Sequence, residues 1–485
     1  MLHKRTFDTV NILYAYKMKP IHFLLGFLLF CSCQNRDGKI NVVFIGGDII
    51  NPSNNYVVLY DPEDNVDTLF LSENNKFSHH FTNFNPGIHS FVHGGKHKSI
   101  LLETNDSIMM HINTHDFDGS LTYNGIGAKK NNYLIELLSK LENENNENND
   151  FYSQEPLIFH KTIETEISNN TEDLHLFLKH NPNSKLFKKI ATSSIKYHYF
   201  TSKELYPYRH FGGNKISDFI GLPSSFYNFR KEIIYNDKDL KDFYPYYNFL
   251  FPHINNLAFE QLIAVNKDFT LDTNNLEYTD HKLVLIDSLV TNSMIKNNLL
   301  KYTTRNFISN SKSIDKSYIL YQSFLDKSSN TKDKLYIKNL FKNAQGLQPG
   351  YQLPAIEVID NKNNNLNINS IFNKPTVIYF WDNASRYHFE NSHIKVNTLI
   401  KLFPTIDFIS ININSMHTNV WKNMIYTNQF NIENEYRFSN PSFAKKRLAI
   451  NYIKKILIVD QKGVILNATA NLFDASFEDI LKFYK

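Results

Sequence analysis

Apolar positions along this chain fall into four regimes, and each predicts a different kind of structure. Residues 21–31 (IHFLLGFLLFC) are one apolar run. At about eleven residues it is too short to cross a membrane, which takes about 20. Residues 38–125 then carry short runs rich in β-branched and aromatic residues: Asn41–Ile45, Tyr56–Tyr60, Thr68–Leu71, Phe77–Phe81, Ile88–Val92, Ser99–Leu102 and Ile108–Ile112. Gly46-Gly47, Asn54-Asn55, Asn85-Pro86-Gly87 and Gly94-Gly95 punctuate them as turns. Strands at ~8–12-residue spacing predict an antiparallel sandwich or barrel, and a β-sandwich domain is expected over 38–130.

From Asn131 the period lengthens. Leu134, Leu137 and Leu138 mark an amphipathic helix, followed by an Asn-rich polar loop at 141–150 (LENENNENND). Helical patterns such as Lys282–Arg305 and Ser317–Leu325 extend this into an α-helical region over 131–345. Tyr244, Tyr246, Tyr247, Phe249 and Phe251 crowd one part of it. Such a stripe suits a glycan or a peptide, but helix-packing core is the simpler reading.

The last regime, 350–485, alternates strand with helix. Pro375–Trp381 reads as a strand buried on both faces. Val396, Leu399, Ile400 and Phe403 follow helical spacing. Ile406–Ile413 is a second buried strand and Thr418–Phe430 a second helix. A hairpin of Ile456–Asp460 and Val464–Asn467 follows, then a helix through Phe477, Ile480 and Leu481. The predicted order is β-α-β-α-β-β-α, and the whole chain is multidomain α+β.

Composition narrows the function. With 485 residues, about three domains are expected. Hydrophobic residues at 42 % and charged residues at 21 % are globular values. Net charge is +4, of which the first 32 residues hold +3 through Lys4, Arg5, Lys17 and Lys19 against Asp8. The remainder has no basic excess for phosphates, so no nucleic-acid partner is expected. Neither a phosphate-binding loop nor a dinucleotide fingerprint occurs, so no cofactor is expected.

The two cysteines, Cys31 and Cys33, both close the first apolar run. Lys17 and Lys19 precede that run, and Met18 makes a more ordinary start than Met1. A basic stretch, a short apolar stretch and then small residues form a secretory signal. The ending Leu29-Phe30-Cys31-Ser32-Cys33 resembles a bacterial lipobox, with Phe30 where leucine is usual. The resemblance implies a lipoprotein signal over 1–32 and a lipidated Cys33. It also implies a cell-envelope location on a membrane, the outer membrane first, facing periplasm or cell surface. Cys31 then leaves with the signal and Cys33 becomes a thioether, so the mature chain has no free thiol.

Residues 350–485 resemble the TlpA-like thiol–disulfide oxidoreductases of the thioredoxin superfamily. The resemblance is carried by Gly350, Pro354, Asp360, Lys374, Phe380-Trp381 and Ile458-Val459-Asp460 with Gly463. Residues 38–135 are similar to the small β-domain often fused ahead of them, through Asn105-Asp106-Ser107-Ile108, Gly125–Gly127 and Asn131-Asn132-Tyr133-Leu134. Together the two matches cover about half the chain. The family's Cys-x-x-Cys, at a helix start that favours the thiolate, falls on Ser385-Arg386-Tyr387-His388. Its cis-proline falls on Lys454, where a cis bond costs ~3–4 kcal/mol more than trans. The resemblance therefore implies a redox-inactive member with no catalytic residues.

New chemistry at those positions is weakly supported. Ser385 and His388 are three apart, but Asp382 is the only nearby acid of the right type and no G-x-S-x-G occurs, so Ser385 reads as a helix-capping hydroxyl. His388, His393 and Asp382 lack metal-ligand spacing, so no metal is expected. Lys454-Lys455 reads as a solvated surface pair. The expected function is a lipid-anchored binding or scaffold protein of the bacterial envelope. Its peptide or protein partner would meet Tyr387, Phe389 and Lys454. The alternatives are a thiol–disulfide oxidoreductase, which the missing thiols disfavour, and a carbohydrate-binding lipoprotein using the 244–251 aromatics.

Overall fold

The computed structural model describes residues 43–484, apart from 64, 82–83, 148–150, 182, 213–220, 273, 383–384 and 415–417. Cys33 and the lipobox-like segment lie outside the described residues.

The chain opens with β1 (Val43–Ile50), β2 (Tyr56–Tyr60), β3 (Val66–Phe70), β4 (Lys76–Phe81), β5 (Gly87–His93), β6 (Lys96–Leu102), β7 (Ser107–Asn113) and β8 (Thr122–Ile126). They form two four-stranded sheets, β4-β1-β7-β8 and β3-β2-β5-β6. Val43, Ile45, Val57, Leu59, Phe91 and Met110 from both sheets share one core. The sandwich is not purely antiparallel, because β1 and β7 run parallel, with Phe44 opposite Ser107. Parallel neighbours need a long crossover, and β2 to β6 supply it. A pattern of strands and turns carries no strand direction. Gly46 and Gly47 are also not a turn; they sit inside β1. A Cβ at position 47 would lie 2.1 Å from the Met110 carbonyl oxygen, so glycine is needed there for close strand approach.

Among the described residues eight α-helices follow: α1 (Ala128–Glu147), α2 (Pro156–His180), α3 (Lys185–Phe211), α4 (Tyr244–Val265), α5 (Leu276–Leu289), α6 (Ser293–Asn310), α7 (Ile314–Lys327) and α8 (Thr331–Gln345). Asn131 exchanges two hydrogen bonds with the Leu101 backbone, at 2.8 and 2.9 Å. Asn132 does the same with Tyr123, both at 2.9 Å. The paired asparagines thus stitch α1 to both sheets. The Asn-rich stretch is helical to Glu147 rather than a loop from 141, because Leu141 is buried and Glu144 accepts a 2.7 Å bond from the Tyr199 hydroxyl. The Lys282–Arg305 pattern is two helices, since the Asn292 side chain accepts from the Met294 and Ile295 amides and starts α6. Tyr246 and Phe249 are fully buried and Tyr247 and Phe251 pack against the same core, so four of the five stripe residues are core and Tyr244 alone of them is exposed.

Glu204 of α3 is the most deeply buried acid among the described residues of this region. Its carboxylate accepts from Arg230 at 2.8 and 2.6 Å, from Asn256 at 2.6 Å, and pairs with His253 at 2.7 Å. Arg230 also grips Glu260 with two 2.9 Å bonds and lies 3.7 Å over the Tyr227 ring. Burial pushes the Glu204 carboxyl up, yet His253 and Arg230 outweigh it and hold it below its ordinary value.

The remaining elements are β9 (Glu357–Ile359), β10 (Asn365–Asn367), β11 (Thr376–Trp381), α9 (Arg386–Leu402), β12 (Asp407–Asn412), α10 (Thr418–Thr427), β13 (Glu435–Phe438), α11 (Pro441–Arg447), β14 (Lys455–Val459), β15 (Ile465–Asn471) and α12 (Phe477–Lys482). They build a seven-stranded sheet, β10-β9-β13-β12-β11-β14-β15. Within it β12-β11-β14-β15 has β11 parallel to β12 and antiparallel to β14, with β15 completing the hairpin. That is the thioredoxin arrangement. The expected order lacked β13 and α11, which intervene before the hairpin; β13 is short and polar, and it extends the sheet parallel to β12.

Alternation along these strands splits the core. Val377, Tyr379, Phe408 and Ile458 pack under α9 and α12. Ile378, Phe380, Ile409 and Leu457 face the other way and join the core of the helical region. Asn451, in the loop before β14, is held from that side by Ser309 at 2.7 Å and Tyr336 at 3.0 Å. The helical region therefore braces the loop that carries Lys454.

Candidate functional site

β11 is buried along its whole length and delivers the chain to the start of α9 at Trp381. The Asp382 carboxylate then accepts the Ser385 amide at 2.8 Å. Ser385 occupies the cap position but its hydroxyl makes no cap bond. The carboxylate caps better, because it brings negative charge to the positive end of the helix.

The four motif positions diverge from there. Arg386 is exposed and pairs with Glu390 at 2.7 Å. Tyr387 is 82 % exposed. His388 turns inward, edge-on to the Phe473 ring at 5.8 Å, with Ser392 rather than Ser385 near its nitrogens. Burial holds the His388 imidazole below its ordinary value; Asp382 opposes this, and Lys454 and His393 add to it. Lys454 is exposed, and β14 pairs with β11, Ile456 opposite Tyr379, so the loop before β14 runs alongside the end of β11.

The expected capping role of the Ser385 hydroxyl thus fails, and two further sequence expectations fail here. Phe389 is fully buried, 4.4 Å from the Trp381 ring and 5.3 Å from Phe430, so it is core rather than contact surface. It falls on the inner side of α9 because it lies two residues past the outward Tyr387, about half a turn round. Lys455 is not solvated either. It is 3 % exposed, with one hydrogen bond to the Ala449 carbonyl at 3.2 Å, and burial lowers its ammonium to about 7. As the first residue of β14 it points to the opposite face from Lys454, by simple strand alternation.

Beneath α9 lies a buried polar cluster that sequence reasoning missed. His393 meets the Phe389 carbonyl at 2.7 Å and Glu435 at 2.8 Å. Glu435 also accepts from Ser410 at 2.6 Å and from the Trp381 indole at 3.3 Å. Both His393 nitrogens are thereby engaged, and among the described residues no three metal-ligating side chains converge. Glu435 sits 42 positions from His393 in sequence, and no local pattern signals such a pair. Phe473 was missed too; only its place between the hairpin and the last helix points to it.

Beside this surface, Arg386, Phe389, Asn423, Met424, Thr427 and Asn428 line a groove of about 270 Å³ between α9 and α10. Together these features make an exposed aromatic and an exposed cation over an apolar base. They offer no thiolate.

No family model matches the chain, and no curated protein does. Solved structures do match its carboxyl-terminal part. The thioredoxin domain of a thiol-disulfide oxidoreductase from Bacteroides vulgatus is 21 % identical, covering 29 % of this chain and 99 % of that one, with a TM-score of 0.25. A thiol:disulfide interchange protein from Bacteroides sp. is 19 % identical over 29 % and 91 %, at 0.25. A thioredoxin-like protein from Bacteroides caccae covers more, 48 % and 84 %, at 11 % identity and 0.34. Similarity at this level carries no function, and the fold assignment rests on strand order and pairing.

Proposed function

We propose that the chain is a lipid-anchored binding or scaffold protein of the bacterial envelope whose thioredoxin-like domain is redox-inactive. One observation carries this reading: the helix start after β11 presents Ser385 and His388 where dithiol chemistry needs cysteines, and no residue after Cys33 in the 485-residue chain is cysteine. Exchange begins with thiolate attack on a disulfide sulfur, and no other side chain substitutes for it. The thiol–disulfide oxidoreductase function in the names of the matched structures therefore does not carry over.

Partner binding is supported by what is left at the site. Thioredoxin-like domains take extended segments beside this helix start. Here Tyr387 offers apolar area and Lys454 a positive charge, which favours an acidic or acceptor-rich segment. One such ion pair contributes ~1 kcal/mol or less when exposed, so the aromatic must supply most of the affinity. The lipobox-like ending at Cys33 supports membrane anchoring.

Redox inactivity is tested on the purified protein in a disulfide-reduction assay. Turnover should not exceed that of a serum-albumin blank. Turnover that survives removal of contaminating thioredoxins would overturn the reading.

A further inference from the structure

Nearly all buried polar groups in folded proteins find a partner. Three N–H donors at the carboxyl ends of β12 and β13 do not. Asn412 and Trp421 are fully buried, and the Asn412 side-chain amide, the Trp421 indole N–H and the Arg437 Nε have no acceptor among the described residues. They belong to one place. Asn412 and Arg437 are register partners on adjacent parallel strands. Arg437 reaches across to the first turn of α10, donating to the Thr418 hydroxyl at 2.8 Å, and Trp421 is one turn further along that helix.

The charge at this place is unbalanced. Arg437 forms no ion pair with a described carboxylate. Glu435, the acid two residues before it on the same strand face, is already committed to His393, Ser410 and Trp381. Burial lowers the Arg437 guanidinium from its ordinary value. The Asn412 carbonyl is taken by the Asn414 amide at 3.0 Å, which fixes its NH2 as the free end. Several donors, one of them cationic, at the start of a helix and the carboxyl ends of parallel strands are what an anion requires.

We propose that Asn412, Trp421 and Arg437 bind a small oxyanion, a carboxylate or a phosphate-sized tetrahedral ion. The site is separate from the Tyr387–Lys454 surface and independent of the function proposed above. Tryptophan emission reads it directly, because the chain has two tryptophans. Trp421 supplies a donor, and Trp381 packs in the same cluster.

The test titrates the purified protein with acetate and, separately, with inorganic phosphate, holding ionic strength constant with chloride. A saturable emission change with a rise in thermal midpoint is expected for one of them, and which one responds identifies the class. Arg437→Met should weaken that binding about tenfold or more. Asn412→Asp brings its own carboxylate beside Arg437, so it should keep the fold and lose the response. The proposal is overturned if wild type responds to neither ion, or if both variants respond as wild type does.

Discussion

Glu204→Ala should lower the unfolding free energy by about 3–5 kcal/mol, the cost of leaving a buried charge network without its centre. Arg230, His253 and Asn256 all converge on that carboxylate, and Arg230 retains Glu260 alone when it is removed. Glu204→Gln keeps the volume and some hydrogen bonds, so it should cost less. Because the native carboxyl lies below its ordinary value, its contribution is complete above the ordinary glutamate pKa and is lost as pH falls through the lowered one. Denaturant unfolding followed by circular dichroism measures both variants. A loss under about 1 kcal/mol for Glu204→Ala would mean that the network does not hold the helical region together.

Cys33→Ala should abolish membrane attachment. A buried methylene contributes roughly 0.8 kcal/mol, so one acyl chain gives only reversible binding, whereas two or three anchor a protein durably. In the variant, the protein should move to the soluble fraction or remain as an uncleaved precursor. Intact mass and detergent partitioning decide the matter. If neither changes, Cys33 carries no lipid.

What the sequence made legible was set by periodicity. Strands such as Tyr56–Tyr60 and Thr376–Trp381 were readable because buried runs and turn residues delimit them locally. The direction of β7 against β1 was not, since it depends on a crossover built from five other strands. β13 was hidden because Glu435 and Arg437 make it look like loop, although both are buried or half-buried polar groups with specific tertiary roles. At the site, chain position was easier to read than side-chain direction. The helix start and the Lys454 loop were both located, yet Phe389 and Lys455 were placed on the surface. Each lies one or two residues from an exposed neighbour, and a shift that small reverses which face a side chain occupies. Hydrogen-bond partners far apart in sequence, such as His393 and Glu435, left no trace in the pattern.

The central claim is that this thioredoxin-like surface binds rather than reacts. Crosslinking followed by pull-down from envelope fractions, comparing wild type with Tyr387→Ala/Lys454→Glu and Ser385→Ala, tests it most directly. Both residues of the double variant are exposed, so its thermal midpoint should match wild type. It should lose the partner that wild type and Ser385→Ala retain. A folded double variant that recovers the same partner in full would contradict the account.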